Sequence, residues 1–188
     1  RMNVRASSSA KGEIALSARS FNTNVNHEIA PVYQTVTVRK GDNPLEMELP
    51  MGQNFLTWDE FSPALYRLTA TLKNGKQIET KQVQFGMREF TINGKWFYVN
   101  GRKTMLRGTV ENCDFPLTGY APMDVASWER VFRICRSYGL NHMRFHSFCP
   151  PEAAFIAADL VGFYLQPEGP SWPNHGPKLG NGQPIDKY

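Results

Sequence analysis

Three adjoining segments decide the fold: Leu140-Asn-His-Met-Arg144-Phe-His146-Ser-Phe-Cys149, Pro150-Pro151-Glu152-Ala-Ala-Phe155, and Gly162-Phe-Tyr-Leu-Gln-Pro-Glu168. They read as strand, helix, strand. Asn141–Phe145 is a short apolar strand. Pro150-Pro151-Glu152 opens a helix, where proline is suited to a first turn whose N–H groups have no intrahelical acceptor. Ala154, Phe155 and Ala158 carry it to Gly162, and Phe163–Gln166 is the next strand. Each strand ends in polar groups that a strand interior does not need: Arg144 and His146 after the first, Glu168 after the second. In parallel β/α architectures, ligands sit at the carboxyl ends of the strands.

Upstream, Val125, Trp128, Val131, Phe132 and Cys135 form a stripe at helical spacing, with Asp124 placed as N-cap and Gly139 as C-terminal stop. An earlier apolar strand is expected over Thr104–Thr109. The order strand, helix, strand, helix, strand predicts a parallel sheet with right-handed crossovers. Asn93-Gly94 and Asn100-Gly101 are hairpin signals on either side of the aromatic strand Trp96–Val99. From Gly169 onward, proline and glycine dominate and no periodic element is read.

Up to Phe85 the period is two. Ile14 and Leu16, Val36 and Val38, then Leu45, Met47 and Leu49, and finally Tyr66, Leu68, Ala70 and Leu72 occupy alternate positions. Turn chemistry is expected at Gly41-Asp-Asn-Pro44, Pro50-Met-Gly52 and Asn74-Gly75, and a loop over Ser17–Val25. Short strands with such turns argue for a small antiparallel β-sandwich.

A chain of 188 residues is long enough for one substantial domain or two small ones. It has no run of about 18 apolar residues, so no membrane-spanning helix is expected. The first residues lack an apolar signal core, as expected of a mature, internal or engineered chain. The net charge of +4 is mild. Arg130, Arg133 and Arg136 read as a solvated helix face, and no nucleic acid is invoked. Cys113, Cys135 and Cys149 are odd in number and form no CxxC pair, which argues against a zinc site or disulfide framework. Cys135 is expected to be buried. Cys149, beside His146, is better read as a small residue packed at a strand-to-helix turn than as a nucleophile, because no second base or orienting group accompanies it.

Arg144 and His146 alternate along one strand, so both can face one side. A guanidinium, an imidazole, the Glu168 carboxylate, the Asn112 amide and the Trp172 indole suit a polyol, with its many hydroxyls and apolar ring faces. An internal Arg144–Glu168 salt bridge, with His146 on a backbone carbonyl, is the simpler alternative. Three such groups at successive strand ends favour a binding site. Glu111 and Glu168 could be drawn as an acid/base pair, but nothing in the sequence sets their separation.

With these residues in view, the chain resembles glycoside hydrolase family 2, the group of β-galactosidases, β-glucuronidases and β-mannosidases. Trp58-Asp-Glu-Phe-Ser-Pro63-Ala-Leu65-Tyr66 looks like a strand of its immunoglobulin-like domain, and Phe85-Gly86-Met-Arg88 like the junction into its catalytic barrel. Asn100-Gly101 with Leu106-Arg107-Gly108, Gly139-Leu-Asn141-His-Met-Arg144, and Asp159-Leu-Val-Gly162-Phe-Tyr164 through Glu168 are similar to its first three barrel strands. The chain departs from the pattern where His146 follows Arg144 by two residues and where Asn112 stands in place of a common histidine.

The resemblance implies an immunoglobulin-like β-sandwich over residues 1–86, then a partial (β/α) TIM-barrel segment of about three strands over 87–188. It implies hydrolysis of β-glycosidic bonds with retention, with Asn112, Arg144, His146 and Glu168 lining the sugar pocket and Trp172 beside them. The family's acid/base glutamate follows an asparagine on the fourth barrel strand, its nucleophile lies on the seventh, and no Asn-Glu pair occurs here. The expectation is therefore an inactive internal fragment whose partners are a carbohydrate and the remainder of the parent polypeptide, with no cofactor implied. A non-catalytic carbohydrate-binding or assembly module is the alternative, and a small α/β hydrolase using Cys149 and His146 a third. A parallel sheet of three strands cut from a barrel leaves an unpaired edge. Self-association is thus expected in sedimentation velocity, and a strictly monomeric, compact species would count against it.

Overall fold

Alternation in the first half produces two antiparallel layers. β1 (Met2–Ala6) and β4 (Gly41–Leu45) form a two-stranded ribbon. β2 (Ala10–Phe21), β3 (Glu28–Val38), β5 (Leu65–Asn74) and β6 (Gln77–Phe85) form a four-stranded sheet in the order β3-β2-β5-β6. Ile14, Leu16 and Val36 are buried between the layers, with Met2, Leu45, Met47, Leu49, Leu68, Ala70 and Leu72 packed on them. This arrangement fits a β-sandwich. The computed structural model describes residues 1–169 and divides into two units: residues 1–58 with 64–87, and residues 59–63 with 88 onward.

Two expectations for the first unit are corrected. Ser17–Val25 is not all loop, because β2 continues to Phe21 past a bulge between Leu16 and Ala18. The inward positions there are Ala18 and Ser20, too small or polar to show alternation. Ser20 is satisfied by the turn that follows, donating from Oγ to Val25 O (2.9 Å) and accepting from His27 N (2.8 Å). Gly41–Pro44 is not a turn but most of β4. Asn43 closes the corner one step earlier by accepting from Arg39 N (2.8 Å) and donating to Arg39 O (2.8 Å). Met47 and Leu49 then pack on the core without belonging to a strand. A hairpin forms where Asn74-Gly75 signals one, but Asn74 pairs with Gln77 as the last residue of β5, so Gly75 and Lys76 make the turn.

Trp58, Leu65 and Tyr66 are almost completely buried. The Tyr66 hydroxyl oxygen accepts from Leu56 N (2.8 Å), and His27 Nδ1 lies 2.7 Å from it. Gly86 leaves room for the indole: a Cβ there would lie 3.0 Å from Trp58 Cβ.

In the second unit, β7 (Phe90–Asn93), β8 (Trp96–Val99) and β9 (Arg102–Thr104) are joined by tight turns. Asn100 (φ 52°) and Gly101 (φ 72°) are both left-handed, as a two-residue type I′ hairpin requires. The strand expected over Thr104–Thr109 is split: β9 ends at Thr104, and a separate strand β10 covers Gly108–Glu111. α1 (Val125–Ser137), β11 (His142–Phe145), α2 (Glu152–Val161) and β12 (Tyr164–Gln166) follow, and β10-β11-β12 are all parallel. Asp124 caps α1 through Ser127 N (2.8 Å), and Gly162 (φ 76°) ends α2. Trp128 and Phe132 of α1, Met143 and Phe145 of β11, and the alanines of α2 form the core. Since strand side chains alternate, His142 and Arg144 are directed to the other face of the sheet.

The amino ends of these strands meet at Asn141, a buried polar residue. Its Oδ1 accepts from Arg107 N (2.7 Å), and its Nδ2 donates to Met105 O (3.0 Å) and Glu60 Oε2 (2.9 Å). Its backbone N–H donates to Arg107 O (3.0 Å), and its carbonyl accepts from Tyr164 N (2.8 Å). Arg107 completes the group with an ion pair to Glu60 at 3.2 Å. Arg136, expected on a solvated face, instead turns inward and donates to the carbonyls of Glu60 (2.7 Å), Val161 (3.0 Å) and Gly162 (2.8 Å). Three main-chain oxygens converge on it, and a linear pattern of charges does not show that. Asn141→Ala takes the acceptor from Arg107 N and one donor each from the buried Glu60 carboxylate and Met105 O, which keep only the Arg107 guanidinium. It is expected to cost about 2–4 kcal/mol in urea unfolding, and a loss below about 0.5 kcal/mol would contradict this account of the network.

Candidate functional site

The opposite, carboxyl ends of the strands carry the polar side chains. Glu168, just past β12, accepts from Arg144 Nε through Oε1 (2.5 Å) and from Ser147 N through Oε2 (2.9 Å). Its own N–H donates to Phe148 O (3.2 Å). His146 Nδ1 lies 2.7 Å from Ser147 Oγ, and His146 N donates to Glu111 O (2.8 Å), extending the β10–β11 ladder by one step. Arg144, His146 and Glu168 are therefore brought together, with Ser147 between the last two. No sequence signal pointed to Ser147, because half of its role comes from a backbone N–H.

The Arg144–Glu168 ion pair exists, with side chains 42% and 29% exposed. A pair this open to water adds little stability. What it supplies is a carboxylate held in one orientation beside an accessible guanidinium. The Arg144 hydrogen bond, aided by the Ser147 N–H, holds the Glu168 carboxyl below its ordinary pKa.

The other expected site residues behave differently. Asn112 is exposed past the end of β10, outside the hydrogen bonds that join the other three. Trp172 lies outside the described residues. The Glu111 carboxylate folds onto its own loop, accepting from Cys113 N (2.7 Å) and Asp114 N (3.4 Å). Cys149 is exposed, not packed, and its Sγ contacts Pro150 O at 3.7 Å while the His146 ring is on Ser147. A thiol–imidazole couple is therefore not assembled. Cys135 is only half-buried, and burial pushes its thiol pKa up. Among the described residues no three His, Cys, Asp or Glu converge as a metal site, and no helix is long and apolar enough to cross a membrane.

Comparison with known proteins finds relatives for much of the chain. Residues 1–88 match the model of glycosyl hydrolases family 2. A β-galactosidase of Thermoanaerobacterium thermosulfurigenes is 29% identical over 116 residues, 61% of this chain and 16% of the relative. A putative β-glucuronidase of Formosa agariphila is 32% identical over 127 residues, 66% of this chain and 15% of the relative. Among solved structures, a β-glucuronidase of Bacteroides uniformis aligns over 92% of this chain and 21% of its own, with a TM-score of 0.75 at 20% identity. One from Parabacteroides merdae aligns over 85% and 20%, with a TM-score of 0.68 at 25% identity. Residues 1–88 thus resemble a part of glycosyl hydrolases family 2, and the matching relatives are named as a β-galactosidase and a putative β-glucuronidase. The chain spans about a sixth of the length of these curated relatives and about a fifth of the solved chains.

A depressed carboxyl pKa contributes stability above the unfolded value of about 4.3, which is lost as pH falls through the folded value. Arg144→Gln is expected to return the Glu168 carboxyl toward its ordinary pKa, followed by carbon-detected NMR titration. An unchanged Glu168 titration would show that the guanidinium does not hold it.

Proposed function

We propose that this chain supplies the sugar-positioning part of a retaining β-glycoside hydrolase. Residues 1–86 are its immunoglobulin-like sandwich, and residues 87–188 the first three strands of its (β/α)8 TIM barrel. The observation that carries this is the joining of Arg144, His146 and Glu168 at the carboxyl ends of adjacent parallel strands. Barrel enzymes place their substrates at that end. The family match, the names of the relatives and the parallel order β10-β11-β12 support it.

In this account Arg144 donates to sugar hydroxyls and Glu168 accepts from them. His146 offers a ring nitrogen as donor or acceptor, and Asn112 and Trp172 line the rim. Each of these groups binds and orients. Retention needs two carboxyl groups about 5–5.5 Å apart across the scissile bond, one acting as nucleophile and the other as acid then base. Glu111, turned onto its own loop, is not assigned as the partner of Glu168. The acid/base and the nucleophile are assigned to barrel strands beyond the three described, which the far greater length of the relatives accommodates. The chain alone is then inactive.

The alternative reading gives residues 1–88, the part that the family model matches, the role of a non-catalytic carbohydrate-binding or assembly module. Sugar binding that survives loss of Arg144 and Glu168 would select it.

The test is a panel of fluorogenic β-glycosides, including β-galactosides and β-glucuronides, given to the mass-verified chain with Glu168→Ala and Cys149→Ala as controls. No turnover is expected on any substrate. Turnover abolished by either substitution would mean that a complete active site lies within these residues, and would contradict the assignment.

A further inference from the structure

Ser147 sits between two of the groups that make the strand end polar, and it has an unusual backbone. Its φ is 61°, in the left-handed region that a residue with a Cβ adopts mainly where its surroundings hold it. In a continuing strand, neighbouring side chains point to opposite faces, so His146 and Ser147 could not meet. The left-handed turn brings the Ser147 hydroxyl back to His146 Nδ1, at 2.7 Å. The same turn points the Ser147 N–H at Glu168 Oε2, at 2.9 Å, on the carboxylate whose other oxygen is taken by Arg144. Glu168 N in turn donates to Phe148 O, one residue beyond the turn. One serine thus sets an imidazole with its side chain and a carboxylate with its main chain.

We propose that Ser147 is a positioning residue of the sugar site, fixing the His146 ring and the Glu168 carboxylate in one mutual geometry before a sugar arrives. This rests on the assignment of these strand ends to sugar binding. Hydroxyls of one sugar ring lie at set distances, so two protein groups that recognise them gain from being held in advance. The split of labour inside Ser147 makes the two roles separable: removing the hydroxyl takes one hydrogen bond from the His146 ring, while the N–H to Glu168 is retained.

The experiment compares Ser147→Ala, Ser147→Gly and Ser147→Thr in the full chain. Ring-nitrogen spectra identify His146 by its loss in His146→Gln. In Ser147→Ala and Ser147→Gly the His146 ring-nitrogen shifts are expected to move, while the Glu168 carboxyl stays below its ordinary pKa through Arg144 and the Ser147 N–H; Ser147→Thr is expected to restore the ring signals. Glycine adopts the left-handed turn freely, so Ser147→Gly decides the matter if Ser147→Ala folds poorly. An unchanged ring signature in the glycine variant, melting as the parent does, would overturn the proposal. Titration with methyl β-glycosides separates the two claims. If the unsubstituted chain binds none, the sugar assignment fails while the ring signals still decide the role of Ser147. If it binds, Ser147→Ala is expected to weaken affinity about threefold to tenfold, the loss of one hydrogen bond, and Ser147→Thr to recover it.

Discussion

A single buried amide holds three parallel strands in register. The Asn141 side chain serves the lead-in to β10 on one side and Glu60 on the other, while its main chain serves Arg107 and Tyr164. Short parallel strands have little pairing of their own, and their mutual position must be set by something besides the ladder. Asn141 is fully satisfied, so it stabilises the arrangement; with any partner missing it would cost more than it contributes. The chain leaves the first unit after Trp58, lends residues 59–63 to this network, and returns at Ala64.

With the amino ends tied in this way, the opposite ends are left to carry accessible polar side chains. Met143 and Phe145 face the helices, so the period of two sends His142 and Arg144 to the other face and carries Arg144 toward Glu168. Gly108 makes room in the same layer, since a Cβ there would lie 2.5 Å from the His142 ring. That ring is partly buried, and burial lowers its pKa. The two ends of one sheet thus differ in kind: a closed polar network beneath, an accessible ion pair and imidazole above.

Much of this was legible in the residues themselves. The strand-helix-strand order, the Asp124 cap, the Gly139 and Gly162 stops and three hairpin turns are local signals, and the structure has each of them. The Arg144, His146 and Glu168 cluster was legible too, because polar groups past apolar strands have few structural reasons to be there. What was hidden depends on contacts distant in sequence or on the main chain. β2 runs on under Ala18 and Ser20, which carry no hydrophobic signal. Asn43 moves a corner by bonding to the backbone, Arg136 collects carbonyls from two other segments, and Ser147 reaches Glu168 through its N–H. Asn112 was named from its position after β10, and position alone does not bring a side chain into a hydrogen-bonded group.

We infer that a sugar binds at the carboxyl ends of β10, β11 and β12. The most direct measurement is amide shift mapping of the isotope-labelled chain during titration with a methyl β-glycoside. Saturable shifts are expected, confined to residues 144–148 and to Glu168, with the sandwich amides unmoved. Saturable shifts confined to the sandwich, with the strand ends silent, would contradict it.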